Sequence, residues 1–208
     1  MNNIRYTLLT DGSSDKSLMS IIDWLLESLE PEIAIQSEWA DLGRLRTPPK
    51  KLSDRIVTSL DLYPCDLLFI HRDAENQPME KRISEIDDAI KLINSQISVE
   101  YIPIIPIRMT EAWLLIDESA IRQAAGNPRG KNSLNLPLIK KIESISDPKV
   151  VLQNLLKEAS NLPARRRQSI SNHRVATLIT DFSPLEALSA FQKLKLNVIE
   201  VLERISAV

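Results

Sequence analysis

Asp66-Leu67-Leu68-Phe69-Ile70-His71-Arg72-Asp73-Ala74-Glu75-Asn76 is the stretch that decides the fold. An apolar run bounded by polar turn residues is how a strand buried on both faces of an α/β sheet reads in sequence. The run ends in two acids one residue apart, Asp73 and Glu75. Open α/β sheets place ligands at the carboxyl edge of their strands. Two carboxylates at that edge can both reach one divalent cation, and hard oxygen donors suit magnesium or manganese.

Outward from this stretch, three more strand candidates follow the same logic. Residues 4–10 run into the turn Asp11-Gly12-Ser13-Ser14, residues 33–40 end at Asp41, and residues 99–107 carry Pro103 and Pro106. Proline cannot donate to a ladder, so this last strand is expected at an edge of the sheet or bulged. Helical spacing separates the strands. Leu18, Ile21, Ile22, Leu25, Leu26 and Leu29 share one face behind Ser14 as N-cap; Leu52, Ile56 and Leu60 share another; Ile83, Ile86, Ile90 and Ile93 form the cleanest stripe. Alternating strands and helices with short links predict a mostly parallel four-stranded sheet flanked by helices, an α/β Rossmann-like fold.

After Arg108 no further strand is predicted. Glu111 to Ala125 reads as a helix, Leu138 to Glu143 as a short one, Asp147-Pro148 opens another by cap and first-turn proline, and Ser183-Pro184 begins the last. The chain is therefore expected to divide into an α/β core over residues 1–108 and a helical extension over 109–208, packed on or capping the core.

Composition narrows the function classes. A net charge of −2 gives no global attraction to nucleic acid, so such binding must come from a local basic patch or through metal ions. Cys65 is the single cysteine, which rules out an internal disulfide and a cysteine-rich zinc site. No apolar run is long enough for a membrane span and no secretory leader is legible, so a bacterial-type cytoplasm is the expected setting.

Three further acids are expected at the edge that carries Asp73. Asp11 ends the first strand, Asp15 projects from the first turn after it, and Glu111 begins the segment beyond the fourth strand, with Thr110 before it as a cap. Asp11, Asp73, Glu75 and Glu111 make the expected metal set, and the chemistry expected of it is phosphoryl transfer in a nuclease. Phosphate contacts are expected from Arg72 and Arg108 at two strand ends, from Lys131, and from the dense patch Arg165-Arg166-Arg167. His71 reads as a packed strand-end residue without a metal partner at short spacing, and Trp113 as core.

The acid-Gly turn after strand one and the Asp-x-acid pair after strand three resemble the Toprim domain of topoisomerases, primases and phage-defence nucleases. Met109-Thr110-Glu111-Ala112-Trp113-Leu114-Leu115, Asp147-Pro148-Lys149 and Asp181-Phe182-Ser183-Pro184-Leu185 resemble an uncharacterised bacterial Toprim-like group. The resemblance implies a magnesium-dependent nuclease in which Asp11 stands where the family's general acid/base glutamate stands, while Asp73 and Glu75 stand where its metal-binding pair stands. It also implies nucleic acid as partner and a defence setting, with a homodimer compatible. Asp11 is one methylene shorter than glutamate and Glu75 replaces an aspartate. These departures leave open a degenerate binding protein that docks on a partner ATPase or on nucleic acid. Asp11-x-Ser13-x-Asp15 also bears a weaker likeness to the metal-adhesion motif of von Willebrand type A domains. A haloacid-type phosphatase would need an aspartate where Ser13 stands.

Overall fold

A computed structural model describes residues 3–93, 98–160 and 171–206. Four strands, β1 (Asn3–Leu9), β2 (Ala34–Trp39), β3 (Leu67–His71) and β4 (Glu100–Ile104), form one sheet in the order β2-β1-β3-β4. Every pairing is parallel: Tyr6 lies opposite Leu67, Leu8 opposite Phe69, and His71 opposite Ile104. β4, with Pro103 inside it, sits at an edge, where a missing N–H interrupts no inner ladder.

Right-handed crossovers fix where the helices go. β2 lies on one side of β1 and β3 on the other, so α1 (Leu18–Leu29) and α2 (Leu52–Leu62) cover opposite faces, and α3 (Met79–Ile93) joins α2. The strand period of two sorts the side chains accordingly. Tyr6, Leu8, Leu67 and Phe69 join the core on the α1 face, whereas Leu9, Leu68 and Ile70 join Ile56, Ile86 and Ile90 on the other. All five residues of β3 are buried, as its unbroken apolar run requires. Burying one such side chain contributes roughly 1.5–3 kcal/mol.

The chain beyond residue 108 adds α4 (Glu118–Ala124), α5 (Pro148–Ala159), α6 (Asn172–Ala176) and α7 (Ser189–Ser206) as its described helices. Their apolar faces share the α1-side core: Trp113, Leu156, Val175 and Phe191 belong to the same cluster as Leu8 and Ile22. Trp113 meets Phe191 edge to face at 5.6 Å. α5 begins as its sequence predicts, with Asp147 Oδ1 accepting from Val150 N at 2.9 Å and Pro148 at the first position.

Three helix starts differ from the expectation. The segment after Gly12 is a 3-10 turn over Ser13–Ser17, and α1 begins only at Leu18. The carboxylate of Asp15 accepts from Gly12 N at 3.1 Å, a bond back to the residue that opens the turn, and Ser14 caps neither the turn nor α1. The helix expected over Glu111–Ala125 is broken into a 3-10 turn, Thr110–Leu114, and α4, because Asp117 Oδ1 caps a new start at Ala120 N. The last helix starts at Ser189 after a 3-10 turn over Ser183–Ala187. Glu143 fixes that start by accepting from Ser189 N at 3.1 Å and Ala190 N at 2.9 Å.

Candidate metal centre

The topological switch point of this sheet lies between β1 and β3, and its carboxyl edge gathers the candidate site. Beyond β3 the chain stays extended for three residues, with Arg72 N donating to Ile104 O at 3.1 Å and Ala74 N to Pro106 O at 3.1 Å. Residues two apart in such a segment face the same way. His71 and Asp73 therefore point together, and His71 Nε2 lies 3.0 Å from Asp73 Oδ1. Extension ends at Glu75, whose φ of 53° turns its side chain onto the outer surface.

Asp15 arrives from the other strand. The 3-10 turn after β1 carries it inward, and its Oδ2 lies 3.8 Å from His71 Nδ1. Asp15, His71 and Asp73 can each offer one ligand atom within 4.8 Å of the others, the single such group among the described residues. Asp15 and His71 are buried, Asp73 half-buried. Thr110 closes the third side: its N–H donates to Asp73 Oδ1 at 2.9 Å, and its hydroxyl lies 3.1 Å from His71 Nε2.

Electrostatics separate these carboxyls from ordinary surface acids. Burial raises the Asp15 pKa, opposed by His71 and reinforced by the Asp73 charge. Burial likewise raises Glu111, with Asp73 and Asp15 adding to the shift and Lys149 opposing it. Glu111 is 4% exposed; its Oε1 accepts from Asn172 Nδ2 at 3.0 Å and lies 3.9 Å from Lys149 Nζ. α6 thus lies over the site and packs on the Ser13–Ser17 turn. His173, next to Asn172, has its pKa lowered by burial and by Lys16.

The other sequence candidates are placed around this group. Asp11 is clasped by two guanidiniums, Arg55 Nη1 at 3.0 Å and Arg72 Nε at 2.8 Å. Glu75 pairs with Arg82 at 3.1 Å, and Arg82 also binds Glu85 at 3.0 Å, while Glu85 lies 3.5 Å from Arg72. Arg55, Asp11, Arg72, Glu85, Arg82 and Glu75 therefore form one alternating belt around the strand ends, and Arg82 Nε ties it to Asp73 O at 3.0 Å. Of the expected metal set, Asp73 enters the close group, Glu111 borders it, and Asp11 and Glu75 stand in the belt. Arg108 bonds Asn76 and the Glu75 carbonyl, and Lys131 is exposed on the loop after α4. Arg165, Arg166 and Arg167 lie outside the described residues.

No family model, no curated protein and no solved structure matches the chain. The site therefore has to be read from its own chemistry. His71, Thr110 and Asn172 are the members that the sequence reading did not assign to it. The signal for His71 was available: His71-Arg72-Asp73 places two donors on one side of an extended segment. Nothing local marked Asn172, which reaches Glu111 across 61 positions.

A divalent cation fits the group. His71 is completely buried, and its Nδ1 has no hydrogen-bond partner among the described residues. Leaving a buried polar atom unmatched costs about 1–3 kcal/mol, and a cation between Nδ1 and the Asp15 carboxylate removes that cost, while Asp73 lies on the Nε2 side of the ring. An imidazole among carboxylates also shifts preference away from magnesium toward manganese or a later transition metal. No described helix is long and apolar enough to cross a membrane.

Proposed function

We propose that the chain is a divalent-metal-dependent phosphodiesterase of Toprim-like type, acting on DNA or RNA in a cytoplasmic, defence-related setting. Asp15, His71 and Asp73 are its metal ligands. The observation that carries this reading is the convergence of those three donors at the switch point of a parallel sheet, with one buried nitrogen that has no hydrogen-bond partner among the described residues. Manganese is the preferred ion in this reading, and magnesium the alternative.

When bound, such an ion supplies charge stabilisation at a phosphoryl oxygen and a more acidic water. The chain's own residues do the rest. Thr110 and the Asp73 carbonyl's bond to Arg82 hold the Asp73 carboxylate in place. Glu111, kept from water and oriented by Asn172, is the group that takes or gives a proton. Arg72, Arg108 and Lys149 are the cations offered to a phosphate backbone, Arg72 lying beside Asp11 and Lys149 beside Glu111.

Purified protein incubated with manganese or magnesium and a panel of single- and double-stranded DNA and RNA tests this reading. Cleavage that requires the metal and disappears in Asp73→Ala supports it. Metal bound at the site with no cleavage of any substrate overturns it.

A second reading, a catalytically degenerate protein that docks on a partner ATPase or on nucleic acid, is favoured by one observation. Asp11, which the Toprim resemblance makes the acid/base, is occupied by Arg55 and Arg72. Tagged protein isolated from its native host would then carry a stoichiometric partner, and its absence counts against the second reading.

A further inference from the structure

Beside the metal centre, at the ends of β1 and β2, a crevice of about 200 Å³ lies between the Asp11-Gly12-Ser13 turn and Trp39. Pockets for drug-sized ligands measure about 300–1,000 Å³, so this smaller space suits one planar ring system. Its walls are an indole on one side and the small residues Gly12, Ala40 and Gly43 on others, with Arg55 at its side. Trp39 is fixed there, its Nε1 donating to Thr10 Oγ1 at 3.0 Å. The crevice adjoins the acid group directly, because Gly12 N–H is the donor to Asp15.

One cation, Arg55, lines the crevice together with the carboxylates of Asp11 and Asp41, and Arg72 and Lys16 stand just outside it. Asp11 presents one carboxylate oxygen to Arg55 and the other to Arg72, at 3.0 and 2.8 Å, while its side chain remains 40% exposed. Lys16 Nζ lies 5.4 Å from the Trp39 ring centroid. Each guanidinium offers Asp11 a single nitrogen, since Arg55 Nη2 donates to the Thr10 carbonyl and Arg72 Nη2 faces Glu85, and guanidinium nitrogens match phosphate oxygens as well as carboxylate ones. Aromatic side chains next to such cations are the common device for holding a nucleobase.

We propose that this crevice binds a nucleoside monophosphate unit, with the base against Trp39 and the phosphate between Arg55 and Arg72 in place of the Asp11 carboxylate. The proposal deepens the nuclease reading and rests on it for the identity of the unit as part of a strand. Asp11 is then the resident anion that an incoming phosphate displaces, and the substrate is held one turn away from Asp15.

The test is fluorine NMR of the full chain labelled with 5-fluorotryptophan, which gives one resonance for each of the 3 tryptophans. Trp39→Phe assigns the reporter, and the buried Trp113 resonance shows that each protein is folded. Titrations in a metal chelator use adenosine 5′-monophosphate, ribose 5-phosphate and tetradeoxyadenylate. The expected result is a saturable shift of the Trp39 resonance with adenosine 5′-monophosphate, at least tenfold weaker binding of ribose 5-phosphate, and roughly tenfold weaker nucleotide binding in Arg55→Ala. Asp11→Asn should tighten nucleotide binding severalfold. Tighter binding of the tetranucleotide assigns the site to a strand, and tighter binding of the mononucleotide assigns it to a free nucleotide. An unmoved Trp39 resonance with both nucleotides overturns the proposal, as does equal binding of ribose phosphate or weaker binding in folded Asp11→Asn. Because the titrations contain no metal, their failure is independent of whether Asp15, His71 and Asp73 hold an ion.

Discussion

Glu75 N–H donates to the Arg108 carbonyl at 2.9 Å, and both residues hold positive φ, 53° and 70°. Each is a long side chain in a conformation that glycine prefers, at a cost of about 1–2 kcal/mol. The pair ends the extended run that aims Asp73 inward, and it starts the turn that brings Thr110 to Asp73. Strain stored beside the candidate site is thus matched by bonds that hold both strand-end segments.

Arg108 tests this directly. Arg108→Gly loses the side-chain bonds to Asn76 and the Glu75 carbonyl, as any truncation there does, but relieves the backbone strain. Arg108→Val, β-branched at the same φ, should be less stable than the glycine variant by about 1–2 kcal/mol. Urea denaturation of the two variants measures the difference, and equal stabilities would show that the turn carries no strain.

Asp73 separates metal binding from folding. Asp73→Asn keeps an oxygen for Thr110 N–H, so the fold should persist. Manganese affinity by titration calorimetry should fall at least as far as the 10–100-fold loss usual for removing a supporting residue. Asp73→Ala should additionally lose about 1–3 kcal/mol, because the Thr110 amide is left without its acceptor. A variant that binds manganese like the parent would remove Asp73 from the site.

The raised carboxyls set a pH dependence. Asp15 and Glu111 both titrate above their ordinary values of 3.8 and 4.5, so the folded state holds their protons more tightly than the unfolded state. Their contribution to stability is fully present below those ordinary values and is lost as pH rises through the raised ones. The metal-free protein should therefore melt at progressively lower temperature as pH is raised from about 4.5 toward neutrality. Glu111→Gln should flatten that slope, and manganese should restore stability most at neutral pH. Parallel melting profiles for the parent and Glu111→Gln would contradict the assignment.

Phe191 tests how far the last helix belongs to the core. It is fully buried, edge-on to Trp113 at 5.6 Å and 6.4 Å from Trp24. Phe191→Ala should cost about 3–5 kcal/mol. Loss of helix signal and of tryptophan burial should coincide in one transition, since residues on both sides of position 108 share one apolar cluster. Two separated transitions would show that the helical part unfolds by itself.

Much of the fold was legible because it rests on local periodicity. The all-apolar run from Leu67 to Ile70 marked a strand buried on both faces, and Pro103 marked an edge strand. Asp147-Pro148 marked a helix start through a bond only three residues long. The Ser189 start was not legible, because its cap is Glu143, 46 positions earlier. The site was legible as a place and in part as a set of residues. Asp73 could be read from the strand end, but the partners of Asp11 and Glu75 are arginines contributed by α2, α3 and the end of β3.

The sequence by itself determined a parallel sheet with helices on both faces and a carboxyl edge rich in acids, since strand and helix periods depend on neighbours along the chain. Only the tertiary structure decided which acids at the end of β3 meet. A positive φ turns Glu75 out to Arg82, and the 3-10 turn after β1 carries Asp15 in to His71. Charges choose partners through space at a few ångströms, and that distance is set by packing between elements far apart in sequence.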